Sequence, residues 1–211
     1  STAYGAVTYQ TAYLKAHYPV AYMAALLTVN AGSVDKIQRY ISNCNSMGIN
    51  VMPPNINTSG VDFTPKDNSI LFGFSAVKNL GDGAIRKIIT SRDEDGEFTS
   101  LAQFCDRISL GSVNRRGLEA LIHSGALDCL EKNANRAQLI ADLDLTIEWA
   151  SSRAKDRTSG QGNLFDLSNS TNNESSPTDD YSSAPKAKEV QEYLPSDKLK
   201  LENEHVGFYL S

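Results

Sequence analysis

The stretch that decides the fold is Val77-Lys78-Asn79-Leu80-Gly81-Asp82-Gly83-Ala84-Ile85-Arg86-Lys87-Ile88-Ile89. A short apolar lead-in runs into a tight turn, because Asn79 tolerates left-handed backbone angles better than most residues. Gly81 and Gly83 carry no Cβ, so another backbone can approach closely there. The three isoleucines that follow have helical spacing and are expected to face inward. The stretch therefore predicts a turn followed by a helix that opens on glycine.

The start of this predicted helix is suited to binding an anion. Its first amides have no partner within the helix, and the helix dipole adds partial positive charge there. A phosphate group is a natural ligand for such a helix end. The cations close to it in sequence are Lys78, Arg86, Lys87 and Arg92. We therefore predict a phosphate site at the turn.

These residues resemble a helix-hairpin-helix motif, which holds the DNA backbone irrespective of base sequence. The positions that match the family pattern are Leu80, Gly81, Ile85 and Ile88. Asn79 stands where the first glycine is usual, Ile85 stands where a small residue is usual, and Asp82 places a carboxylate at the amides. The alternative is an ordinary helix start in which Asp82 favours the dipole. The resemblance implies that DNA phosphates contact Lys78, Asn79, Leu80, Gly81, Gly83, Arg86 and Lys87.

A second segment repeats the pattern of helix, tight turn and helix. A turn at Gly111 and Ser112 leads into Val113-Asn114-Arg115-Arg116-Gly117-Leu118-Glu119-Ala120-Leu121-Ile122. We interpret this segment as a degenerate second hairpin with Arg115 and Arg116 as DNA contacts, since paired hairpins would suit contact with both strands of a duplex. The alternative is that both arginines lie on a solvated helix end.

The net charge of −5 originates in the C-terminal part of the sequence. Residues 166–211 hold nine Asp and Glu against four Lys and Arg, whereas residues 1–165 hold sixteen of each sign. This balance does not argue against nucleic acid as a ligand, but it excludes a broad basic surface. Any contact with DNA must therefore be local.

The cysteines and the hydropathy of the sequence bear on metal binding, the redox state of the thiols and membrane contact. Cys44, Cys105 and Cys129 show no zinc-type spacing, and each falls in an apolar helical pattern. We interpret them as reduced core thiols of a cytoplasmic protein. No apolar run approaches the ~20 residues of a membrane span, so no membrane contact is expected. Because the sequence lacks an initial Met and ends on an apolar run, we expect a piece of a longer protein.

Periodicity predicts a mainly α fold with a small β element (α+β). Two short strands are predicted at Val61–Phe63 and Ile70–Phe74, joined by the turn residues Pro65, Asp67 and Asn68. The predicted helices are residues 2–17, one that begins at Pro19, one between Ser33 and Gly48, a short one after Ser100, one over 134–152, and a segment beyond Ala184.

Six of the nine tyrosines lie in the first forty residues. Tyr9 and Tyr13 share a helix face, so they could stack on nucleic-acid bases. Half-buried core positions are the favoured interpretation.

The composition changes from Arg153, where Ser, Thr, Asn and Asp dominate to about Ser183, as in a flexible linker. One apolar island interrupts it at Gln161-Gly162-Asn163-Leu164-Phe165. An isolated apolar anchor in a flexible segment is a common form of partner-binding peptide. The alternative is a local contact with the preceding helix.

Four collinear segments resemble the bacterial replicative DNA polymerase III alpha subunits, family C. They are Tyr9-Gln10-Thr11-Ala12-Tyr13-Leu14-Lys15-Ala16-His17-Tyr18-Pro19 with Met23-Ala24-Ala25-Leu26-Leu27, then Met52-Pro53-Pro54-Asn55-Ile56-Asn57, Phe72-Gly73-Phe74-Ser75-Ala76-Val77-Lys78 and Val113-Asn114-Arg115-Arg116. The resemblance covers residues 1 to about 165 and resumes at residues 207–211, which in the family precede an OB-fold.

The resemblance implies an organisation that composition does not. Residues 1–74 would be the C-terminal part of the fingers with the small β element, and 75–152 a helix-hairpin-helix region that binds duplex DNA. Residues 153–183 would be a flexible linker, and 184–211 a helical segment leading toward the OB-fold. Within the linker, 161–165 match the family's sliding-clamp motif, whose anchors would be Gln161, Leu164 and Phe165.

The resemblance also implies what this chain lacks. The family's catalytic aspartates and their Mg lie in the palm, upstream of residue 1, so the chain should hold no catalytic residue, metal or cofactor and should not polymerise alone. Its implied partners are double-stranded DNA, the sliding clamp and other replicase subunits. Two alternatives stay open: a free-standing helix-hairpin-helix adaptor or repair module, and a structural or interaction scaffold whose hairpin only packs.

Overall fold

The computed structural model describes residues 2–108, 111–130, 135–158 and 181–207, and these form a mainly α fold with one small sheet, as predicted. Three short strands lie between the third and fourth helices, β1 (Asn50–Met52), β2 (Thr64–Lys66) and β3 (Ser69–Leu71). The helices of the described residues are α1 (Thr2–His17), α2 (Pro19–Val29), α3 (Val34–Ser46), α4 (Asp82–Asp95), α5 (Leu101–Ile108), α6 (Arg115–His123), α7 (Arg136–Thr158) and α8 (Pro195–Val206).

Local signals define the first three helices. Pro19 occupies the first turn of α2, where its missing amide costs nothing. The predicted helix between Ser33 and Gly48 is confirmed as α3, with Ile37 and Cys44 buried in the core. Gly48 follows α3 in the left-handed region with φ of 70°, and the amide of Ile49 donates to the Cys44 carbonyl at 2.9 Å. This glycine turn directs the chain into β1.

The sheet has the order β1-β3-β2, with β1 parallel and β2 antiparallel to β3. The predicted strand at Val61–Phe63 is wrong, and β2 lies at Thr64–Lys66 with Pro65 inside it. An edge strand tolerates proline because one side of its backbone needs no ladder partner. The predicted strand at Ile70–Phe74 corresponds to Ser69–Leu71, and β1 was not predicted at all. Strands of three residues are too short for the alternation of buried and exposed side chains to be recognised in the sequence.

A continuous core joins the sheet to the later helices. Asn57 exchanges two hydrogen bonds of 2.9 Å with the backbone of Phe98, and the amide of Ile56 donates to the Ala126 carbonyl at 2.8 Å. Arg92, predicted near the phosphate site, instead donates to the Ser59 carbonyl at 2.8 Å. The loop between β1 and β2 therefore packs into the helical region, although the predicted boundary between residues 74 and 75 stays a prediction.

Helix α7 is longer than predicted and continues to Thr158, into the stretch assigned to a flexible linker from Arg153. Asp106, nearly buried on α5, explains the extension. It accepts two hydrogen bonds from Arg157, at 2.7 and 3.0 Å, and lies 3.7 Å from the Arg153 guanidinium. A buried carboxylate with two arginine partners thus holds the last turns of α7 against α5.

The chain returns to the body before α8, which begins at Pro195 rather than directly beyond Ala184. Residues 184–194 run extended along the first half of α7. The carboxylate of Glu192 accepts from the amides of Arg136 and Ala137, and so caps the start of α7 from a distance in sequence.

The cysteine prediction is confirmed in two of three positions. Cys44 and Cys105 are buried, and burial raises the pKa of their thiols to about 11 and about 12. Cys129 is exposed in a turn outside any helix, so its assignment to a helical core is wrong. All three thiols are free. Within the described ranges, no helix has the length and apolar character needed to cross a membrane.

Candidate nucleic-acid interface

The first hairpin has the predicted backbone. Asn79 adopts the left-handed region with φ of 62°, and Gly81 is the N-cap of α4. Ile85 and Ile88 are buried, and Leu80 packs against the same core. Because the apolar side chains hold the turn from within, the amide end of α4 has a fixed position relative to the body.

The start of α4 opens on space. A Cβ built on Gly81 or on Gly83 would meet no atom of the described chain within 4 Å. Packing among the described residues therefore requires neither glycine. The absence of side chains leaves the first amides of α4 accessible to a ligand such as a phosphate group.

The charges at this hairpin are only loosely paired. Asp82 and Arg86 lie 3.6 Å apart, and their side chains are 74% and 72% exposed. Exposed ion pairs of this kind contribute little free energy. Lys87 is exposed, and no ion pair involves it among the described residues. A bound phosphate can therefore replace Asp82 as the ion-pair partner of Arg86 at little cost.

Lys78 has another partner. Its ammonium donates to the carbonyl oxygen of Glu204 at 2.8 Å, and its amide donates to that of His205 at 3.1 Å. Both acceptors belong to the last turn of α8. Lys78 was predicted as a phosphate contact, and the structure places it as a cap on the C-terminal end of α8.

The second hairpin has the predicted arrangement, but its helix start is occupied. The Asn114 side chain accepts a hydrogen bond of 2.8 Å from the amide of Gly117. Arg115 pairs with Glu119 at 2.9 Å and with Asp144 at 2.6 Å, and these hydrogen bonds raise the pKa of its guanidinium. Arg116 is exposed, and no ion pair involves it within the described residues.

The two hairpins touch each other. A Cβ built on Gly117 would lie 3.2 Å from the Asn79 carbonyl oxygen and 3.2 Å from Cγ1 of Val113. The first turn of α6 therefore packs directly on the turn that precedes α4. Arg116, in the first turn of α6, and the open start of α4 therefore lie on elements that contact each other.

The prediction of half-buried tyrosines on α1 is wrong. Tyr4, Tyr9 and Tyr13 are 80%, 71% and 47% exposed, and α1 has no buried residue. The predicted shared face is confirmed, since the rings of Tyr9 and Tyr13 lie 6.3 Å apart. The ring of Tyr13 also lies 4.2 Å from that of His17. The absence of Asp and Glu from this helix was a signal in the sequence that α1 is not an ordinary solvated face.

The predicted clamp-binding residues, Gln161, Leu164 and Phe165, lie outside the described residues. The described residues before them are held on α5, and those after them are held on α7. Arg157 is paired with Asp106, and the ring of Tyr181 lies 6.4 Å from that of Trp149. The part of the chain with coordinates contains no group of three or more His, Cys, Asp or Glu side chains that could hold a metal ion.

Comparison with known proteins agrees with this geometry. Residues 48–139 match the family model described as the helix-hairpin-helix motif. The whole chain is 39% identical over 214 residues to DNA polymerase III subunit alpha of Deinococcus radiodurans. It is 40% identical over 212 residues to that of Thermus aquaticus, and 38% identical over 211 residues to that of Bacillus subtilis.

This chain is homologous to a segment of DNA polymerase III subunit alpha. All of its residues align, and they span 15% of the Deinococcus protein, 16% of the Thermus protein and 18% of the Bacillus protein. The predicted family is thereby confirmed, with a helix-hairpin-helix unit inside the aligned segment.

Proposed function

We propose that this chain is a non-catalytic segment of a replicative DNA polymerase that holds the backbone of duplex DNA with its two hairpins. The observation that carries the proposal is the open start of α4, where a Cβ built on Gly81 or Gly83 would meet no neighbouring atom of the described residues within 4 Å. Amides with partial positive charge and no internal partner bind phosphate well. The packing of Gly117 on Asn79 places a second helix start beside the first.

The charges assign different roles to the predicted cations. Arg86, Lys87 and Arg116 are exposed and are at most loosely paired, so they supply the phosphate contacts. Arg115 is held by two carboxylates and orients α6 on α7. Each neutralised phosphate releases counterions. The slope of log K against log salt is therefore proportional to the number of phosphate contacts.

The experiment is a titration of a short labelled duplex by fluorescence anisotropy across a salt series. Replacing Lys87 and Arg116 together by Gln should remove about two phosphate contacts, and the slope of log K against log salt should fall by about 1.8. The matched control is Lys36→Gln with Arg39→Gln, which removes the same charge from exposed positions on α3. Equal losses in both variants would contradict a local hairpin site.

A second proposal concerns the sliding clamp. Residues 161–165 resemble the family's clamp motif. The described chain before them is held by the pairing of Arg157 with Asp106 on α5, and the chain after them by the contact of Tyr181 with Trp149 on α7. Anchoring a short peptide at both ends reduces the entropy it loses on binding. Gln161, Leu164 and Phe165 would then enter an apolar pocket on the ring.

The clamp proposal is tested with Phe165→Ala. A short peptide depends on a few anchors, and loss of a buried aromatic anchor costs roughly 2–4 kcal/mol, so binding to the clamp should weaken about 30- to 1,000-fold. Surface plasmon resonance with immobilised clamp measures this. Ser168→Ala, just beyond the motif, is the matched control. Wild-type affinity in Phe165→Ala would remove the assignment.

We further propose that the parent protein is a cytoplasmic DNA-directed DNA polymerase that works with other replicase subunits. Its catalytic carboxylates and Mg would be supplied by the palm, outside this chain. The proposal is supported by the alignment with DNA polymerase III subunit alpha proteins over the whole chain. This segment alone should incorporate no nucleotide in a primer-extension assay, even where it binds the primed duplex.

A further inference from the structure

The C-terminal end of α8 is seated on the first hairpin by residues far away in sequence. Lys78 donates to the carbonyl oxygens of Glu204 and His205, at 2.8 and 3.1 Å. The last carbonyls of a helix have no internal partner, and a cation near them is favourable because of the helix dipole. Lys78 thus acts as the C-terminal cap of α8.

Three further contacts hold the same end of α8. Val206 is buried at 2% exposure. The ring of His205 stacks on that of His123 at the end of α6, with 4.8 Å between centroids and 15° between planes. Gly207 has φ of 95° and touches α3, since a Cβ there would lie 2.5 Å from Cγ1 of Val34. The end of α8 therefore fits between the hairpin, α6 and α3.

The middle of α8 is fixed by a buried ion pair. Glu202 is 1% exposed and accepts a hydrogen bond of 2.8 Å from Arg136, which also donates to the carbonyl oxygen of His123. A buried pair of this kind strongly favours one orientation, because separating the partners leaves a charge without compensation. The direction of α8, with its negative end at the hairpin, is thereby determined.

This seating has a cost for nucleic-acid binding. Lys78 immediately precedes the turn whose amides are proposed to hold a phosphate. Its ammonium group, however, is hydrogen-bonded to the end of α8. The negative end of the α8 dipole also lies beside that turn and opposes an approaching phosphate. We propose that α8 and a DNA phosphate compete for Lys78, so that release of α8 raises the affinity of the first hairpin for duplex DNA.

This inference rests on the proposed function and makes α8 an intramolecular brake on the hairpin. Binding linkage makes the effect reciprocal: whatever factor α8 release adds to DNA affinity, DNA adds to α8 release. Two observables therefore report one coupling. They are the affinity for duplex and the amide hydrogen exchange of residues 195–206.

The experiment uses the 211-residue chain with Val206→Ala and Gly207→Val combined, which removes packing at the end of α8 and forces a Cβ against Val34. Neither change alters the net charge. The amides of 195–206 should exchange faster, duplex affinity should rise about threefold, and the salt slope should steepen by about 0.9 from one added phosphate contact. Saturating duplex should also speed exchange of 195–206 in the wild-type chain.

Lys78→Met completes the cycle, because it keeps the apolar stem and removes the charge. Alone it should change affinity less than about twofold, since Lys78 is engaged with α8; combined with the two α8 changes it should cancel their gain. A gain that survives Lys78→Met overturns the competition. Faster exchange with wild-type or weaker DNA binding also overturns it, and unchanged exchange overturns the seating of α8.

One titration distinguishes a chain without the α8 brake from a chain without the hairpin site. The variant with Lys87→Gln and Arg116→Gln is measured in the same titration. If it loses salt slope while the α8 variants bind as wild type, the hairpin site stands and only the brake is wrong. If the wild-type chain shows no salt-dependent binding, or if the Lys87/Arg116 variant binds as wild type, both fall together.

Discussion

The two hairpins have the same outline but different helix starts. At the first, Gly81 caps α4 without a side chain, and the space around Gly81 and Gly83 is open. At the second, the Asn114 side chain caps α6 and accepts the amide hydrogen of Gly117. No side-chain hydrogen bond caps the first helix start among the described residues, whereas the second is capped by its own chain.

This difference shows that a helix N-terminus is an anion site only when nothing internal has taken its amides. An N-cap Asn stabilises a helix by about 1 kcal/mol relative to alanine, and by only a few tenths of a kcal/mol relative to glycine. The second hairpin has that contribution and stabilises the pair, whereas the first forgoes it at the place where phosphate is proposed to bind. The two hairpins accordingly place different demands on their glycines: Gly117 is required by packing, whereas Gly83 has open space beside it, where we propose that phosphate binds.

The largest expected effect comes from placing valine at each of these glycines. Gly117→Val forces a side chain against the Asn79 carbonyl and should cost about 1–3 kcal/mol of unfolding free energy through overpacking. Gly83→Val enters open space and should leave stability nearly unchanged, while its side chain blocks the α4 amides and weakens duplex binding about tenfold. Urea unfolding and fluorescence anisotropy measure the two quantities. Equal destabilisation by both variants would erase the proposed difference.

The first hairpin could be predicted from sequence because its signals are local. The left-handed turn at Asn79 and the buried positions of Ile85 and Ile88 follow from spacing within a dozen residues. The family resemblance to polymerase III alpha subunits was equally visible, since it rests on four collinear segments. Both predictions are confirmed.

The contacts that decide how the cations are used are not local. Arg115 pairs with Asp144, and Lys78 caps a helix more than a hundred residues away. No periodicity reveals such partners. The prediction for the tyrosines of α1 was wrong for a different reason. The apolar residues of α1 are distributed around the helix and define no inner face, and the tyrosines expected in a core are exposed.

Acid should act on stability through the second hairpin. A histidine pair, His123 and His205, lies at the end of α6, whereas α4 contains no histidine. Burial is the main cause that lowers the pKa of His123 from 6.5 to about 4, and the pKa of His205 is also lowered, chiefly by burial. Glu119 and Glu204 act in the opposite direction, whereas Lys78 and Arg136 lower the values further.

The unfolded chain binds more protons than the folded one between about pH 6.5 and 4, so stability falls as pH falls through that window. From the shift of His123, the loss at pH 5 should be about 2 kcal/mol. Urea unfolding at a series of pH values measures it. His123→Gln should flatten the dependence, and His17→Gln, on exposed α1, should not. A dependence that is the same in all three proteins would contradict the role of the pair.

The smallest expected effect concerns the carboxylate at the first hairpin. Asp82 lies in the first turn of α4, where it favours the helix dipole but opposes a phosphate at the same amides. Asp82→Asn keeps the shape, removes that repulsion and releases Arg86 from its exposed ion pair. Duplex affinity should rise about two- to threefold at low salt, corresponding to a free-energy gain under 1 kcal/mol, and the gain should fade as salt screens the charges.

The matched change at the second hairpin is Asp144→Asn, which removes a carboxylate from Arg115. Arg115 keeps Glu119 as a partner at 2.9 Å, so this change should leave affinity almost unaltered. Anisotropy titrations at two salt concentrations distinguish the variants. A larger gain from Asp144→Asn than from Asp82→Asn would mean that the second hairpin, and not the open start of α4, makes the principal contact with DNA.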